Sequence, residues 1–219
     1  MTFSIAGRCA RTGMLGCVVT TSSMAVGSRC AWAEADVGAV LTQHRTNPRL
    51  GPRILARLRD GTSPQAAIEE LERSEPNLGW RQLAVVGADG TGAVFNGGRI
   101  TSILKAKVGR DCAAAGNILR NTDVVDAMVA SFEGGEDQPL AERLMRAIEA
   151  GDAAGGEPKQ LKSAALLVVH RDSFPFVDLR VDLSAQPLVE LRFLWELYQP
   201  AAETYVVRAV DPDKAPGAA

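Results

Sequence analysis

The sequence predicts an α+β fold in which two largely antiparallel sheets stack face to face, with helices outside them. Short apolar runs joined by turns that contain Gly or Asp are typical of antiparallel hairpins. Two pairs of amphipathic segments interrupt these runs, and each segment carries an apolar stripe at helical spacing. Strands, two helices, strands, two helices and strands therefore follow one another along the 219 residues.

The strands are predicted from apolar runs that end at turn residues. A strand from Thr2 to about Cys9 turns at residues 11–13 and returns over residues 15–21. The remaining runs cover residues 37–43, 83–86, 92–95, 112–116, 164–170 and 177–181. Their lengths of four to seven residues fit strands better than helices.

The helices are predicted from their apolar stripes and from the residues at their ends. Asn47-Pro48 and Ser63-Pro64 each place a proline at the first helical position. Thr122 precedes a third helix, and a fourth ends at Gly151. A further helix covers about residues 188–198.

Length and composition predict one domain over residues 1–205 and a flexible C-terminal tail over residues 206–219. With 46% hydrophobic residues, a chain of this length buries a single well-formed core. The net charge of −2, with acids and bases interspersed, argues against a nucleic-acid or membrane-surface partner. The sequence shows no signal-peptide pattern and no apolar run of roughly 20 residues, so we predict a cytoplasmic location.

Cysteine and histidine usage predicts neither a metal site nor a cofactor. The four cysteines show no C-x-x-C spacing and lie mostly in strand-like runs, which is typical of buried free thiols. The only histidines are His44 and His170, and a zinc site needs three or four converging ligands. The G-x-S-x-G motif of serine hydrolases is absent from the sequence.

Thr2 is the leading candidate for a nucleophile, because removal of Met1 makes it the first residue. A free α-amine has a pKa of about 7.7–8.0, so it can accept the proton of the neighbouring hydroxyl near neutral pH. One residue then supplies both nucleophile and base. The alternative is that Thr2 is an ordinary residue after an initiator methionine.

Several segments, in order along the chain, resemble the bacterial family called domain of unknown function 1028, over residues 2 to about 205. They are T-F-S-I-A-G-R, A-V-G-S-R-C-A-W-A, V-G-A-V-L-T-Q, R-L-G-P-R, W-R-Q-L-A-V-V, A-G-N-I-L, A-A-G-G-E and D-L-R-V-D. The resemblance implies a branch of the N-terminal nucleophile (Ntn) hydrolases. These fold as a four-layer αββα sandwich and cleave amide bonds with an N-terminal Thr, Ser or Cys. It also implies that Thr2 lies at the mouth of a cleft between the two sheets.

Within this resemblance, Gly116 and Asn117 are the candidates for stabilising an oxyanion, because an amide side chain and backbone N–H groups are suitable donors. The alternative for this pair is an ordinary turn. Ser22 and Ser23 follow the second strand and are predicted to lie near Thr2 if the first two strands pair.

Three further residues are predicted to contact substrate. Gln43 and His44 end the third strand and either line a pocket or form a solvated strand end. Lys162, or Lys159, either lowers the pKa of the amine or holds a substrate carboxylate; the alternative is a solvated loop lysine. In this loop Glu157 and Lys162 depart from the family pattern, so the resemblance assigns no roles to the residues of the loop.

Two functions follow from the sequence. The first is hydrolysis of an amide or related C–N bond of a small-molecule substrate by Thr2. The alternative is a non-catalytic protein on the same scaffold that binds a metabolite or a partner. The apolar stretch at residues 191–195 also predicts a homodimer, unless that helix packs on its own sheet.

Overall fold

Ten strands form two antiparallel sheets in the computed structural model of the protein, which describes residues 1–217. The strands are β1 (Thr2–Arg8), β2 (Leu15–Thr21), β3 (Ala31–Glu34), β4 (Gly38–Gln43), β5 (Gln82–Gly87), β6 (Gly92–Asn96), β7 (Leu104–Gly109), β8 (Cys112–Asn117), β9 (Ser163–Val169) and β10 (Val177–Val181). The helices are α1 (Gly27–Cys30), α2 (Leu50–Arg59), α3 (Pro64–Ser74), α4 (Asp123–Glu133), α5 (Leu140–Ala153), α6 (Pro187–Tyr198) and α7 (Ala202–Val210).

The larger sheet has six strands in the order β10-β9-β2-β1-β8-β7, and the smaller has four in the order β3-β4-β5-β6. Every pair of neighbouring strands is antiparallel. β1 lies inside the larger sheet, where it pairs with β2 on one side and β8 on the other. The first residues of the chain are thereby fixed between two buried strands.

Three buried clusters separate four layers, which confirms the predicted αββα sandwich. One cluster lies between the six-stranded sheet and the helices α4, α5 and α6. A second lies between the two sheets, and a third lies between the four-stranded sheet and the helices α2 and α3. Each sheet therefore buries both of its faces.

The side chains of β1 alternate between two of these clusters. Phe3 and Ile5 join the cluster beneath the helices, whereas Ala6 joins the cluster between the sheets. Successive side chains of a strand point to opposite faces, so Thr2 and Ser4 face the smaller sheet. Alanine is the most frequent residue type in the cluster between the sheets, which keeps this part of the core thin.

Two strands and the start of one helix differ from the sequence-based expectation. β3 and β7 were not predicted, because β3 has only four residues and β7 carries two lysines at a sheet edge, where lysine is common. α2 begins at Leu50 and not at Pro48, since the Asn47 side chain accepts a hydrogen bond from the Arg49 N–H, 3.2 Å away, in a turn before the helix.

The carboxyl-terminal end also differs from the predicted tail. α7 continues to Val210, five residues into the segment assigned to the tail, and the ring of Tyr205 packs 5.3 Å from that of Tyr198. Residues 218–219 of the predicted tail lie outside the described residues. Within residues 1–217, no helix combines the length and the apolar character needed to cross a bilayer.

Candidate active site

A cluster of buried polar side chains closes one end of the space between the sheets. On each strand, every second side chain faces the opposite sheet, and most of these side chains are apolar. The polar residues stand at the ends of these apolar rows. All six are at most 6% exposed. They are Thr2 and Ser4 of β1, Thr21 of β2, Gln43 of β4, Gln82 of β5 and Asn117 of β8.

Gln82 is the centre of a hydrogen-bonded amide network that joins the two sheets. Its Oε1 accepts from Gln43 Nε2 at 2.7 Å and from Asn117 Nδ2 at 3.0 Å. Its Nε2 donates to the backbone carbonyl of Gly116 at 2.9 Å. Gln43 in turn accepts a 2.7 Å hydrogen bond from the Ser4 hydroxyl. Gln82 Nε2 also donates to the backbone carbonyl of Lys105 at 3.1 Å. Two residues of the smaller sheet are thus bonded to four of the larger one.

Thr2 lies beside this network and is covered by Met1. The Thr2 hydroxyl donates to the Met1 carbonyl oxygen at 2.5 Å and lies 3.3 Å from the hydroxyl of Thr21. The Thr21 hydroxyl donates to the same carbonyl oxygen. In the pairing of β1 with β8, Thr2 is directly opposite Asn117, so their side chains share a face. Two hydroxyls therefore converge on one carbonyl oxygen.

Glu157 is a buried carboxyl group on the other side of the amino terminus. Its Oε2 accepts a 3.2 Å hydrogen bond from the Ser22 N–H. Burial raises the pKa of this carboxyl to about 7, against the opposing effects of the Ser22 hydrogen bond and the charge of the Met1 amine. Burial also lowers the pKa of the Met1 amine, while the charges of Glu157 and Cys30 oppose this shift and that of Lys159 adds to it. The amino terminus therefore lies near groups from β2, from α1 and from the loop after α5.

The structure brings together three of the residues predicted from the sequence. Thr2, Asn117 and Gln43 belong to the polar cluster, and Ser22 reaches its edge through the bond of its N–H to Glu157. The Asn117 amide is oriented by Gln82, and its Oδ1 is buried without a hydrogen-bond partner among the described residues. Asn117 ends a strand and does not form the alternative turn.

Gly116 has a packing role at the position where we predicted an oxyanion site. It faces away from Thr2, because neighbouring residues of a strand alternate between faces. A Cβ built on Gly116 would lie 2.8 Å from Leu119 Cδ1, so the glycine allows Leu119 to pack against the strand. Its N–H and carbonyl belong to a strand that is paired on both sides.

The side chains of three other predicted contact residues do not join the polar cluster. The Ser23 hydroxyl accepts a 2.6 Å hydrogen bond from the Arg29 guanidinium. His44 Nδ1 lies 2.8 Å from the backbone carbonyl oxygen of Trp80. The Lys162 side chain is exposed, and only its backbone N–H contacts the site, by donating to the Thr21 carbonyl at 2.8 Å.

Strained backbone follows two members of the polar cluster. His44 has φ = 54° directly after Gln43, and Ile118 has φ = 52° directly after Asn117. A positive φ is unusual outside glycine and is most costly for a β-branched residue such as isoleucine. Strain of this kind concentrates at functional sites, which adds weight to this end of the sandwich.

Sequence reasoning missed Ser4, Thr21, Gln82 and Glu157. Ser4 lies two residues after Thr2 on the same strand, and alternation places both on one face. Thr21 ends a predicted strand, and its pairing with the strand of Thr2 was the available signal. Gln82 precedes the predicted strand at residues 83–86 on the face that alternation assigns to the interior. Glu157 has no signal in the sequence, because its burial depends on a loop fold. Within residues 1–217, no three His, Cys, Asp or Glu side chains converge as a metal ion would require.

Comparison with known proteins identifies the family of this chain. A family model described as "Family of unknown function (DUF1028)" matches residues 2–191. The chain belongs to this family. The resemblance read from the sequence is therefore confirmed, whereas the relation to Ntn hydrolases stays a prediction.

Two solved structures are similar to this DUF1028 protein. Protein SPO2555 from Silicibacter pomeroyi, of the same family, is 32% identical, with a TM-score of 0.83 over 91% of this chain and 85% of that one. Anbu (ancestral beta-subunit) from Yersinia bercovieri is 10% identical, with a TM-score of 0.41 over 99% of both chains. No curated protein gave a significant match.

We expect Gln82→Leu to lower the free energy of unfolding by about 2–4 kcal/mol. Leucine fills a similar volume but leaves the amide groups of Gln43 and Asn117 and the carbonyl of Gly116 without this partner. Urea denaturation measures the change. Gln65→Leu, on the exposed face of α3, is the control and should change it by less than about 0.5 kcal/mol. Equally small effects of both substitutions would contradict a stabilising role for the network.

We expect Glu157 to make the free energy of unfolding fall between about pH 4.5 and pH 7. Its pKa is about 7 in the folded protein and about 4.3 in an unfolded chain. The folded state therefore binds more protons in this interval, and stability is lost as the pH rises through it. The loss attributable to Glu157, whose neighbours include the Met1 amine and Asp152, is on the order of 1–3 kcal/mol.

Urea denaturation across this pH range tests the expectation. Glu157→Gln should flatten the slope, whereas Glu72→Gln on the exposed side of α3 should keep the wild-type slope. The same slope in wild type and Glu157→Gln would show that this carboxyl does not hold its proton in the folded protein.

Proposed function

We propose that this protein hydrolyses an amide or related C–N bond of a small metabolite, with Thr2 as nucleophile once Met1 has been removed. The convergence of the Thr2 and Thr21 hydroxyls on one partly buried carbonyl oxygen carries the proposal. The Met1 carbonyl carbon is bonded to the Thr2 nitrogen, so a substrate carbonyl binds beside that position after Met1 is removed, with its carbon facing the Thr2 hydroxyl.

The α-amine of Thr2 is the base in this proposal. Burial lowers the pKa of the amine that now begins the chain, and burial acts in the same direction on an amine one residue further in. A lowered pKa increases the neutral fraction of the amine at pH 7, and only the neutral form accepts the proton of the hydroxyl. The chemistry then requires no histidine and no second residue as base.

Thr21 and Asn117 are the proposed donors to the developing oxyanion. The Thr21 hydroxyl already donates to a carbonyl oxygen beside Thr2. Asn117 Nδ2 has two N–H groups, of which one is bonded to Gln82, and Asn117 lies directly opposite Thr2. The bond to Gln82 fixes the orientation of the amide before substrate binds, which is the arrangement that oxyanion stabilisation needs.

The reaction proceeds in two halves. The Thr2 hydroxyl oxygen bonds to the carbonyl carbon as its proton passes to the α-amine, and the C–N bond breaks as the leaving nitrogen takes that proton. The resulting ester on Thr2 is then hydrolysed by water, which releases the acid and restores the hydroxyl. The proposal requires loss of Met1, which aminopeptidases of the cytoplasm remove before small residues such as threonine.

The catalytic proposal is tested with protein whose first residue is Thr2, verified by intact mass. We expect it to hydrolyse a member of a panel of small amides, lactams and acyl amino acids. Thr2→Ala keeps the amine but lacks the hydroxyl, so turnover should fall to background. Thr21→Val and Asn117→Ala should each lower kcat by about 10²–10³-fold through loss of an oxyanion donor.

Thr20→Val is the matched control, because Thr20 lies on the opposite face of β2 and donates to the Ser163 carbonyl. Its kcat should stay near that of the wild type. A Thr2→Ala protein with the wild-type rate would overturn the proposal. Retention of Met1 in protein made in bacteria, together with no hydrolysis by the protein that starts at Thr2, would favour the alternative of a non-catalytic binding protein.

We also propose that the chain forms a homodimer through α6. One side of this helix is buried, with Leu191 at 0% and Trp195 at 2% exposure. Its other side exposes three apolar residues spaced four apart, each more than half exposed. They are Val189, Phe193 and Leu197. The helix thus packs on its own sheet, as the alternative supposed, and still presents an apolar stripe.

Light scattering at micromolar concentration measures the assembly. We expect twice the mass of one chain for the wild type, and the mass of one chain for Phe193→Glu. Leu183→Glu, at an exposed leucine outside the helix, should leave the dimer intact. A monomeric wild type would contradict this proposal.

A further inference from the structure

Glu157 has a buried oxygen atom that nothing in the described chain uses. The residue is 5% exposed, and its Oε1 has no hydrogen-bond partner among residues 1–217, the Met1 amine included. A buried polar atom without a partner costs free energy, so such atoms in native proteins call for an explanation. For a carboxylate oxygen, the natural partner is a donor that carries positive charge.

The chain places this oxygen near the proposed nucleophile. Glu157 Oε2 accepts from the N–H of Ser22, and Ser22 directly follows Thr21, whose hydroxyl contacts the Met1 carbonyl. The Met1 α-amine lies close enough to Glu157 for the carboxylate charge to oppose the lowering of its pKa by burial. The α-ammonium group of Met1 thus lies within electrostatic range of Glu157, without a hydrogen bond to its Oε1.

Met1 occupies the space that the acyl part of a substrate must enter. A substrate carbonyl carbon has to approach the Thr2 hydroxyl to about 3–3.5 Å, and the carbonyl now in contact with that hydroxyl belongs to Met1. Removal of Met1 vacates a space bounded by the hydroxyls of Thr2 and Thr21 and neighbouring Glu157. An acyl group bound in this space, in van der Waals contact with the freed Thr2 nitrogen, has its α-carbon in the same region as Glu157.

We propose that the substrate is an α-aminoacyl amide with a free ammonium group, which Glu157 binds while Thr2 attacks the adjacent carbonyl. This inference rests on the function proposed for Thr2. The bond changes are those of that reaction: the ester to Thr2 forms, the C–N bond breaks, and the amine leaves with the proton from the hydroxyl. Water then releases the free amino acid.

The test compares L-methioninamide with N-acetyl-L-methioninamide, which differ in the charge of the α-nitrogen. The protein is made as a ubiquitin fusion and cleaved so that Thr2 is the first residue, as checked by intact mass. We expect kcat/KM to favour the free amine by about 10–100-fold, the effect of one charge-assisted hydrogen bond. Glu157→Gln should remove this preference by lowering kcat/KM for L-methioninamide only.

Asp152→Asn is the matched control. Asp152 is an exposed carboxylate near Glu157, so its substitution removes the same charge without removing the buried oxygen. It should leave the preference within about twofold of the wild type, because an exposed charge contributes little to binding.

A binding measurement separates this inference from the function on which it rests. Calorimetric titration of the Thr2→Ala variant with the two amides reports the ammonium site without turnover. Tighter binding of L-methioninamide, lost when Glu157→Gln is added to Thr2→Ala, supports the ammonium site. This result supports the site even if the wild type hydrolyses neither amide and the catalytic proposal fails. Equal binding and equal kcat/KM for the two amides would overturn the ammonium site, and hydrolysis that depends on Thr2 would then stand without it.

Discussion

The buried amide of Gln82 is the interaction on which the rest of this structure depends. It lies in the smaller sheet, yet three of its partners, Asn117 and the carbonyls of Lys105 and Gly116, belong to the larger one. A fully buried amide is tolerated only when its donors and acceptor are paired, so its bonds fix how the two sheets meet. That fixed arrangement holds the end of β8 beside the start of β1. Thr2 consequently lies opposite Asn117 in the pairing of β1 with β8.

The layered architecture could be predicted from the sequence because its signals are local. The apolar runs of β1 and β2 and the stripes of α4 and α5 have the period of the elements that they form. Elements that depend on tertiary context were missed. β7 pairs only with β8 at the edge of its sheet, and its two lysines hide the strand pattern. The sequence predicts a tail where α7 ends, because the short amphipathic run of this helix follows a segment rich in proline and alanine.

The site was predictable only where chain position or family likeness gave a signal. Thr2 follows from its place after Met1, and Asn117 from the resemblance. Glu157 meets the backbone of Ser22 across 135 residues of sequence, and no local pattern indicates that a glutamate in a loop is buried. Gly116 shows a second role that residue type does not indicate: its lack of a side chain lets Leu119 pack against the strand. Residue type alone does not distinguish these roles; the direction of the side chain does.

The alanine-rich cluster between the sheets has a consequence for where the chain tolerates change. Small side chains such as those of Ala6, Ala39 and Ala113 fill the interior between the sheets. A larger residue at one of these positions would push the sheets apart and strain the hydrogen bonds that join them. The loops that leave the strands at the rim carry no such restriction, so their length and charge can change with little loss of folding stability.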